Sequence, residues 1–389
     1  MKYYLSQNVF DAALDRIRWL FDEFDHVITA FSGGKDSTVV LQLALIVARE
    51  KDRLPLDVIF IDQEAEWNAV VEYARRVGAL DDVNLKWFQM PFQISSATSD
   101  ESAWLQCWEP GVEWMRDKEP NSIKINTYGT KTFGDLFTQI VKQDYSGKSA
   151  ALLGGLRSEE SPARHAGLTN KATYKHVTWG KVFDKKTNKF NFSPIYDWSY
   201  TDVWKAIHEN NWPYCPVYDA QWRYGVPLKN MRVSSLHHET AVNSLYYLQE
   251  AERDTWERLC KRLPGANTIG HLQGAAFEVP KKLPFMFDTW AEYRNHLCDN
   301  LITEPAHRQA FHNHFSRLER KYPCFPAPDR MNRVLVRAIL SNDYHSVLIA
   351  NWESNQWVHG WLKWTKGRSH QLDSKNPFIK ASQANQILA

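Results

Sequence analysis

The sequence lacks the features that mark disulfide-stabilised, metal-cluster and membrane-spanning proteins. Its 389 residues include only five cysteines, and no two of them form a CxxC pair: Cys107, Cys215, Cys260, Cys298 and Cys324. A disulfide framework, a zinc site and an iron–sulfur cluster are therefore poorly supported. No apolar run approaches the length that spans a bilayer, and the N-terminus lacks the apolar core of a signal peptide. We expect a cytoplasmic protein with reduced thiols and no membrane partner.

The chain also lacks an excess of charge of either sign. It carries 47 basic and 45 acidic residues, a formal net charge of +2, which is too balanced to indicate nucleic acid by itself. Aromatic residues, by contrast, are plentiful, with 17 Trp, 16 Tyr and 19 Phe. Such side chains stack on bases, but they also fill irregular cores, and we favour the second interpretation for most of them.

A glycine-rich segment, FSGGKDST at residues 31–38, lies between an apolar run at 26–30 and a longer apolar segment at 39–48. The pattern predicts a strand, a glycine loop and a helix. Glycines let the backbone approach an anion, and a helix N-terminus directs N–H groups and a positive dipole at the same place. The candidate nucleotide-binding residues of this loop are Phe31, Ser32, Gly33, Gly34, Lys35, Asp36 and Ser37.

The segment is not the ordinary P-loop, because Asp36 follows Lys35 where that motif requires Ser or Thr. A carboxylate repels bound phosphates unless a cation lies between them, so Asp36 indicates Mg²⁺. The pattern SGGKDS resembles the modified PP-loop of the N-type ATP pyrophosphatases, which cleave a nucleotide between its α- and β-phosphates. The alternative is a glycine turn that opens a helix and binds nothing.

Apolar runs and helical periodicity alternate along the first part of the chain, which predicts an α/β fold with a doubly wound, mostly parallel sheet. We expect residues 1–235 to form this domain, with an irregular insertion or lid at about 93–135. Residues 236–389 are expected to form a helical, Trp-rich domain, and residues 361–389 are either a basic tail or a solvated face. The predicted strands are 26–31, 56–62, 84–90 and 149–155, and the predicted helices include 35–50, 66–77 and 200–210.

Two further groups of polar residues follow predicted strands, and ligands bind at the carboxyl ends of parallel strands. Asp62 follows the second strand, where it either holds a ribose hydroxyl or a metal, or caps the helix at 66–77. Gly155 opens a loop that carries Arg157 and Arg164, whose guanidiniums suit bidentate contacts to phosphate or sulfate. Glu160 lies between the two arginines and is placed to orient one of them. The alternative is a surface loop of ion pairs.

Four motifs occur along the chain in the order in which one protein family carries them: SGGKDS, the strand-end Asp62, GLRSEESPAR at 155–164 and PIYDWSYTDVWKAI at 194–207. Together they resemble the phosphoadenosine phosphosulfate (PAPS) reductase superfamily over about residues 20–220, and the nearest subgroup is the immunoglobulin-binding-regulator-A-like proteins. The resemblance implies an adenine nucleotide α-hydrolase-like fold. It also implies adenine-nucleotide binding by the SGGKDS loop, Arg157 and Arg164.

The chain departs from the reductases of that superfamily, which use a cysteine in a short C-terminal motif. No cysteine follows Cys324, and residues 230–235 read NMRVSS where family members often present a glycine–cysteine step. Cys107 and Cys215 are the remaining candidate nucleophiles, and each is more often a packed small hydrophobe. His237 and His238 are adjacent, which does not suit a helical zinc site, so we interpret them as phosphate-edge, capping or structural groups.

The leading hypothesis is an enzyme that binds ATP (or PAPS) with Mg²⁺ and adenylylates an acceptor with release of pyrophosphate. Its catalytic residues would be Lys35, Asp36, Arg157 and Arg164, with Asp36 on the metal. The superfamily's DNA-phosphorothioation enzymes, and its genomic pairing with ParB-like proteins, point to nucleic acid or a ParB-like partner by analogy. The alternatives are PAPS reduction or sulfotransfer by a cysteine thiol, and a nucleotide-sensing regulator without chemistry. The acceptor and the oligomeric state stay open.

Overall fold

A computed structural model describes residues 5–96, 104–263, 265–266, 279–322, 325, 327–341, 343–344, 346–355 and 358. The strands are β1 (His26–Ala30), β2 (Leu56–Ile61), β3 (Val83–Phe88), β4 (Phe92–Ser95), β5 (Trp104–Cys107), β6 (Ala150–Leu153), β7 (Gly180–Asp184) and β8 (Lys189–Phe192). The helices of the first part are α1 (Val9–Glu23), α2 (Lys35–Glu50), α3 (Asn68–Gly78), α4 (Phe133–Asp144), α5 (Pro162–Thr169), α6 (Tyr200–Glu209), α7 (Val217–Arg223), α8 (Val242–Ala251) and α9 (Arg253–Arg262). They are followed by α10 (Trp290–Leu301), α11 (Pro305–Lys321), α12 (Pro328–Leu340) and α13 (Val347–Glu353).

The central sheet has six strands in the order β3-β2-β1-β6-β8-β7. The pairs from β3 to β8 are parallel, and only β7 at the edge runs antiparallel to β8. The central strands are rich in buried apolar residues because helices cover both faces of such a sheet; β6, for example, reads AALL and is buried at every position. This architecture confirms the predicted α/β class with a mostly parallel, doubly wound sheet.

The order of the strands brings two distant loops together. β1 pairs with β2 on one side and with β6 on the other, with Ile28 opposite both Asp57 and Leu152. The loop after β1 and the loop after β6 therefore leave the sheet at the same edge. Because the strand order reverses at β1, with β2 and β3 on one side and β6 and β8 on the other, this edge is the place where a doubly wound sheet binds its ligand.

The predicted insertion at 93–135 is only partly irregular. Its first residues belong to a two-stranded antiparallel ribbon, β4–β5, in which Phe92 lies opposite Cys107 and Ser95 lies opposite Trp104. Its last residues belong to α4, which begins at Phe133. The alternating apolar side chains of the ribbon are too short a signal to predict from sequence, and residues 97–103 lie outside the described part of the chain.

The chain divides into two compact units. The first consists of residues 1–95 and 104–263, and the second of residues 96–103 and 264–389. The first unit includes α8 and α9, so it ends beyond residue 235, and the domain boundary at 235 stays a prediction. The described part of the C-terminal region is helical, as predicted. Its core is formed by side chains such as Phe311, Phe315, Leu335 and Ile339, each no more than 3 % exposed.

The predicted basic tail at 361–389 falls outside the described residues. Among the helices that the structure describes, none combines the length and the apolar character that crossing a membrane requires.

Candidate functional site

The glycine loop connects β1 to α2 by a tight turn. Gly33 has φ +72°, and a Cβ at this position would lie 2.9 Å from Val70 Cγ1, so the turn needs glycine for both its conformation and its packing. Across the turn, Ser37 Oγ lies 3.1 Å from Ser32 Oγ and donates to the carbonyl oxygen of Gly34 at 2.9 Å. The two serines therefore fix the loop as an open cradle of backbone amides.

The first turn of α2 points into this cradle. Gly34 precedes the helix and has no side chain to cap it, so the helix begins with N–H groups that no side chain of the N-cap residue satisfies. One of these groups, the backbone N–H of Lys35, has a partner from another element: it donates to the hydroxyl of Tyr218 at 2.8 Å. The Lys35 ammonium donates to Asp36 Oδ2 at 3.0 Å and to the carbonyl oxygen of Met231 at 3.2 Å. A positive helix end and a fixed cation thus meet at one place.

Asp36 and Arg157 form the ion pair that connects the two loops. Arg157 comes from the loop after β6, is only 5 % exposed, and donates from Nε to Asp36 Oδ1 at 2.6 Å. The same guanidinium donates to Glu159 Oε2 at 3.0 Å and lies 3.8 Å from Glu160 Oε1. Its planar fork therefore bridges carboxylates from both loops in a fixed geometry that the compact ammonium of a lysine does not reproduce.

Arg164 lies at the first turn of α5 and forms an ion pair with Glu160. Its side chain is 43 % exposed, unlike that of Arg157. Burial and the neighbouring guanidiniums of Arg232 and Arg157 lower the pKa of Arg164, while Asp36 raises it. Three arginines are thus close enough to repel one another, an arrangement that an anion between them would stabilise.

All these groups surround one cavity of about 870 Å³. Of the predicted site residues, Phe31, Ser32, Gly34, Lys35, Asp36, Ser37, Gly155, Arg157, Glu160 and Arg164 line it. Gly33 lies within the same loop. The volume is within the range of small-molecule and cofactor pockets, and the cavity lies at the sheet edge that the strand order selects.

Gly155 lets the two loops approach each other. A Cβ on this residue would lie 2.9 Å from the carbonyl carbon of Asp36 and 3.0 Å from the backbone nitrogen of Ser37. Backbone atoms at the start of a helix cannot move aside cheaply. Glycine is therefore the residue that this contact requires.

We predict that Gly155→Ala lowers the free energy of unfolding by about 1–3 kcal/mol, the usual cost of overpacking. Denaturant-induced unfolding of the variant and the wild-type protein measures this difference in free energy. Gly167→Ala in α5 is the matched control, because a Cβ there would meet nothing within 4 Å and alanine favours a helix. Equal stability of Gly155→Ala and the wild-type protein would show that the loops do not meet as described.

Asp62 is not brought to the cavity. It is fully buried, and its carboxylate accepts from Trp87 Nε1 at 2.8 Å and from Gln89 Nε2 at 2.9 Å. Arg116 Nη2 donates to both carboxylate oxygens at 2.5 Å, and the backbone N–H of Glu64 donates at 3.0 Å. These donors leave no free edge for a ribose or a metal. Asp62 does not cap α3 either, because the backbone N–H groups of Asn68 and Ala69 at the start of that helix donate to the Glu252 carboxylate at 2.7 and 2.9 Å.

Glu66 lies in the same buried polar region. Its Oε1 accepts from Ser235 Oγ at 2.7 Å. Burial, and after it the charge of Asp62, raises the pKa of Glu66 to about 7, although Ser235 and Arg116 act in the opposite direction. The folded protein therefore keeps this proton at a pH where the unfolded chain has lost it. The protonated Glu66 therefore contributes to the free energy of unfolding. This contribution is complete below pH 4.5, the pKa of Glu66 in the unfolded chain, and is lost as the pH rises through about 7.

We predict that Glu66→Gln removes this dependence and makes the protein more stable than wild type by about 1–3 kcal/mol at about pH 8. The measurement is the difference in unfolding free energy between variant and wild type across pH, which cancels groups common to both. Glu209→Gln, at an exposed carboxylate of α6, is the control. A difference that stays constant with pH would contradict the shift.

The candidate thiols lie away from the cavity. Cys107 and Cys215 are fully buried, and neither belongs to the cavity lining. Cys107 Sγ donates to the carbonyl oxygen of Gln63 at 3.2 Å, and burial raises its pKa. Burial also raises the pKa of Cys215 to about 12. Because the thiolate is the reactive form, both residues fit the packed, unreactive interpretation.

His237 is a structural group. It is fully buried, with its ring nitrogens 3.1 Å from the carbonyl oxygen of Ser95 and 3.0 Å from Gln63 Oε1. Burial lowers its pKa to about 3, so the ring is neutral near neutral pH. His238 Nδ1 lies 2.8 Å from Thr240 Oγ1, which is a local turn contact. Neither ring lines the cavity.

The cavity lining suits a phosphate-bearing ligand together with Mg²⁺. Three carboxylates line it, Asp36, Glu159 and Glu160, and Mg²⁺ binds through one or two carboxylates plus phosphate oxygens. The Asp36 side chain is 21 % exposed. Each of its oxygens accepts one hydrogen bond from a cation and has a further lone pair. The donor set therefore fits the metal that the sequence predicts.

Sequence reasoning missed residues of the segment after α7. Lys229, Met231 and Arg232 line the cavity, as does Tyr218 of α7. The buried amide of Gln221 fixes this segment by donating to the carbonyl oxygen of Arg232 at 2.7 Å and accepting from its N–H at 3.1 Å. Arg232 could have been predicted from the sequence. Residues 230–235 were considered above only because they lack a cysteine, and the arginine among them was overlooked.

A family model and several known proteins match this chain. The family model described as "Phosphoadenosine phosphosulfate reductase domain" matches residues 26–270. The Uncharacterized protein YbdN of Escherichia coli (strain K12) is 28 % identical over 281 residues, with 69 % of each chain covered. The sulfate adenylyltransferase subunit 2 of Shewanella pealeana is 26 % identical, covering 56 % of this chain and 68 % of the relative. The adenosine 5′-phosphosulfate reductase of Anoxybacillus flavithermus is 24 % identical, covering 53 % and 74 %.

Proposed function

Since the chain belongs to the phosphoadenosine phosphosulfate reductase domain family, we propose that it binds ATP in the glycine-loop cavity and cleaves it between the α- and β-phosphates. An oxygen of the acceptor would attack the α-phosphorus. The bond from that phosphorus to the bridging oxygen would break, and pyrophosphate would leave with the bonding electrons. The acceptor would be adenylylated.

One observation carries the proposal: two loops 121 residues apart place a helix N-terminus, Lys35 and Arg157 around a single cavity. A helix N-terminus and a fixed ammonium suit the β- and γ-phosphates. Arg157 and Arg164 approach from the other loop, where they would stabilise charge that develops during phosphoryl transfer. Arg232 adds a third guanidinium to the same wall.

Mg²⁺ would be held by Asp36, with Glu159 or Glu160 as a second carboxylate ligand. When bound, the metal supplies charge neutralisation to the phosphate oxygens. The chain's own contribution is to place Asp36: Lys35 holds one of its oxygens and Arg157 holds the other. Both contacts restrict the carboxylate to one orientation at the mouth of the loop.

The test is the position of cleavage. ATP incubated with the protein, Mg²⁺ and candidate acceptors should give pyrophosphate and an adenylylated acceptor, or AMP when water accepts. ADP and phosphate as the products would contradict the proposal. Calorimetry with α,β-methylene-ATP measures binding separately, and a competing titration with PAPS distinguishes the two nucleotides.

The two rival functions predict different results in the same experiment. A nucleotide-sensing regulator would bind the analogue without releasing pyrophosphate. A thiol-dependent reductase would release sulfite from PAPS in the presence of a reductant. The burial of Cys107 and Cys215 outside the cavity argues against the reductase, and no described cysteine lines the cavity.

A further inference from the structure

A second cavity, of about 1050 Å³, lies in the first unit and is formed mainly by the chain that follows β5. We call it the tryptophan–lysine pocket, after six of its lining residues: Gln93, Gln106, Trp108, Trp114, Lys118 and Lys124. It shares no lining residue with the glycine-loop cavity. An inference about its ligand therefore stands independently of the proposed function.

Trp108 is held in a conformation that bulky residues rarely adopt. Its φ is +53°, in the left-handed region, which is unfavourable for such a side chain. Two buried contacts keep it there: its backbone N–H donates to Glu64 Oε2 at 2.6 Å, and its indole N–H donates to the carbonyl oxygen of Asp62 at 2.8 Å. Strain maintained by buried partners is a reason to look for a function.

Trp114 completes a rigid aromatic wall. Its indole N–H donates to the carbonyl oxygen of Glu109 at 2.7 Å, and its ring meets that of Trp108 edge-on, with centroids 5.8 Å apart. Trp114 is half-buried, so part of its surface is available to a ligand. Because the contacts already fix both rings, stacking on them costs little conformational entropy.

The pocket is positively charged. Lys118, Lys124 and Lys131 line it, against Glu109 as the one carboxylate in the lining. Within the described part of the chain, none of these lysines forms an ion pair. The Lys118 ammonium lies 4.3 Å from the centroid of the Trp114 ring, which places a cation beside the aromatic surface.

Two amides face each other at the edge of the pocket. Gln93 and Gln106 are directly opposite on the β4–β5 ribbon, and both are half-buried. Their side chains make no hydrogen bond with any residue that the structure describes. An amide offers both a donor and an acceptor, the pair of groups that the edge of a nucleobase displays.

We propose that the tryptophan–lysine pocket binds an unstacked nucleobase together with its phosphate, presented by single-stranded nucleic acid. Trp114 would stack on the base, Gln93 and Gln106 would contact its edge, and the lysines would bind the phosphate. The combination of aromatic stacking and lysine contacts is the usual chemistry of single-strand binding. A duplex would not fit, because its bases are already stacked and paired.

The test is fluorescence anisotropy with labelled single-stranded octanucleotides, one of DNA and one of RNA, on the full-length protein. Trp114→Ala should weaken binding of at least one of them by about tenfold, and Trp114→Phe should retain part of the affinity. Trp222→Ala is the matched control, since Trp222 is 65 % exposed on α7 and lies outside both cavities. Replacing Lys118 and Lys124 with Gln should reduce the slope of log K against log salt by about 1.4.

Four results would overturn the proposal. They are the absence of binding by the wild-type protein, equal affinity of Trp114→Ala and wild type, equal affinity for the matching duplex, and a free mononucleotide that displaces the labelled octanucleotides as effectively as an unlabelled octanucleotide does. Affinity for α,β-methylene-ATP should be unchanged in Trp114→Ala. Failure of nucleic-acid binding would thus be distinguishable from failure of the glycine-loop site.

Discussion

Replacing Lys35 with methionine is expected to weaken ATP binding by about 10- to 100-fold, since a charge-assisted contact to phosphate contributes roughly 1.5–3 kcal/mol. Lys35 is 4 % exposed, and its ammonium is fixed by Asp36 and by the carbonyl oxygen of Met231. The cation is therefore already in place before a ligand arrives. Methionine keeps the apolar stem beside the Tyr218 ring and removes only the charge. Calorimetry with α,β-methylene-ATP measures the difference.

Lys189 offers a matched control for this variant. It is also a fully buried lysine of the same unit, and its ammonium donates to the carbonyl oxygens of Tyr145 and Lys148, away from the cavity. Lys189→Met should lower the melting temperature and leave ATP affinity unchanged. Equal nucleotide affinity in Lys35→Met and the wild-type protein would reject the loop as the phosphate site.

Local sequence patterns predicted the elements that carry the loop. The helix at 35–50 was correct at both ends, because an apolar segment follows a glycine turn that cannot belong to the helix. The strands at 26–31 and 56–62 were correct within one residue, because strands buried on both faces are predominantly apolar. The convergence of Asp36 and Arg157 followed from the rule that ligands bind at the carboxyl ends of parallel strands.

Asp62 shows why the rest was not predictable. Its position at the end of β2 resembles that of a ligand-binding carboxylate, but its function is set by partners far along the chain. Arg116, 54 residues later, lies in a stretch without periodicity and donates to both of its oxygens. Only the folded chain reveals that these donors already satisfy the carboxylate. The same limit applies to Tyr218, whose hydroxyl accepts the N–H of Lys35 from 183 residues away.

The arginines of the second loop are expected to differ in their effect on catalysis. Arg157→Lys should lower kcat for cleavage of ATP to AMP and pyrophosphate by about tenfold or more, because a lysine lacks the planar fork that contacts Asp36 and Glu159 in a fixed geometry. Arg164→Lys should have a smaller effect, since the Arg164 side chain is 43 % exposed and its ion pair is with Glu160. Melting temperatures should barely change in either variant, because each keeps its positive charge.

Steady-state kinetics at saturating ATP separates stabilisation of the transition state from binding of the substrate. A fall in kcat and kcat/KM together is expected for Arg157→Lys, whereas a rise in KM alone would limit Arg157 to ground-state binding. Glu159→Gln, assayed at saturating Mg²⁺ because Glu159 is also a candidate metal ligand, is the informative control: it weakens one arm of the Arg157 fork and leaves the contact to Asp36 intact. If the fork must be oriented to act, Glu159→Gln should show an intermediate kcat. If Arg157→Lys retains the wild-type kcat, the Arg157–Asp36 pair is a structural link between the two loops and takes no part in the reaction.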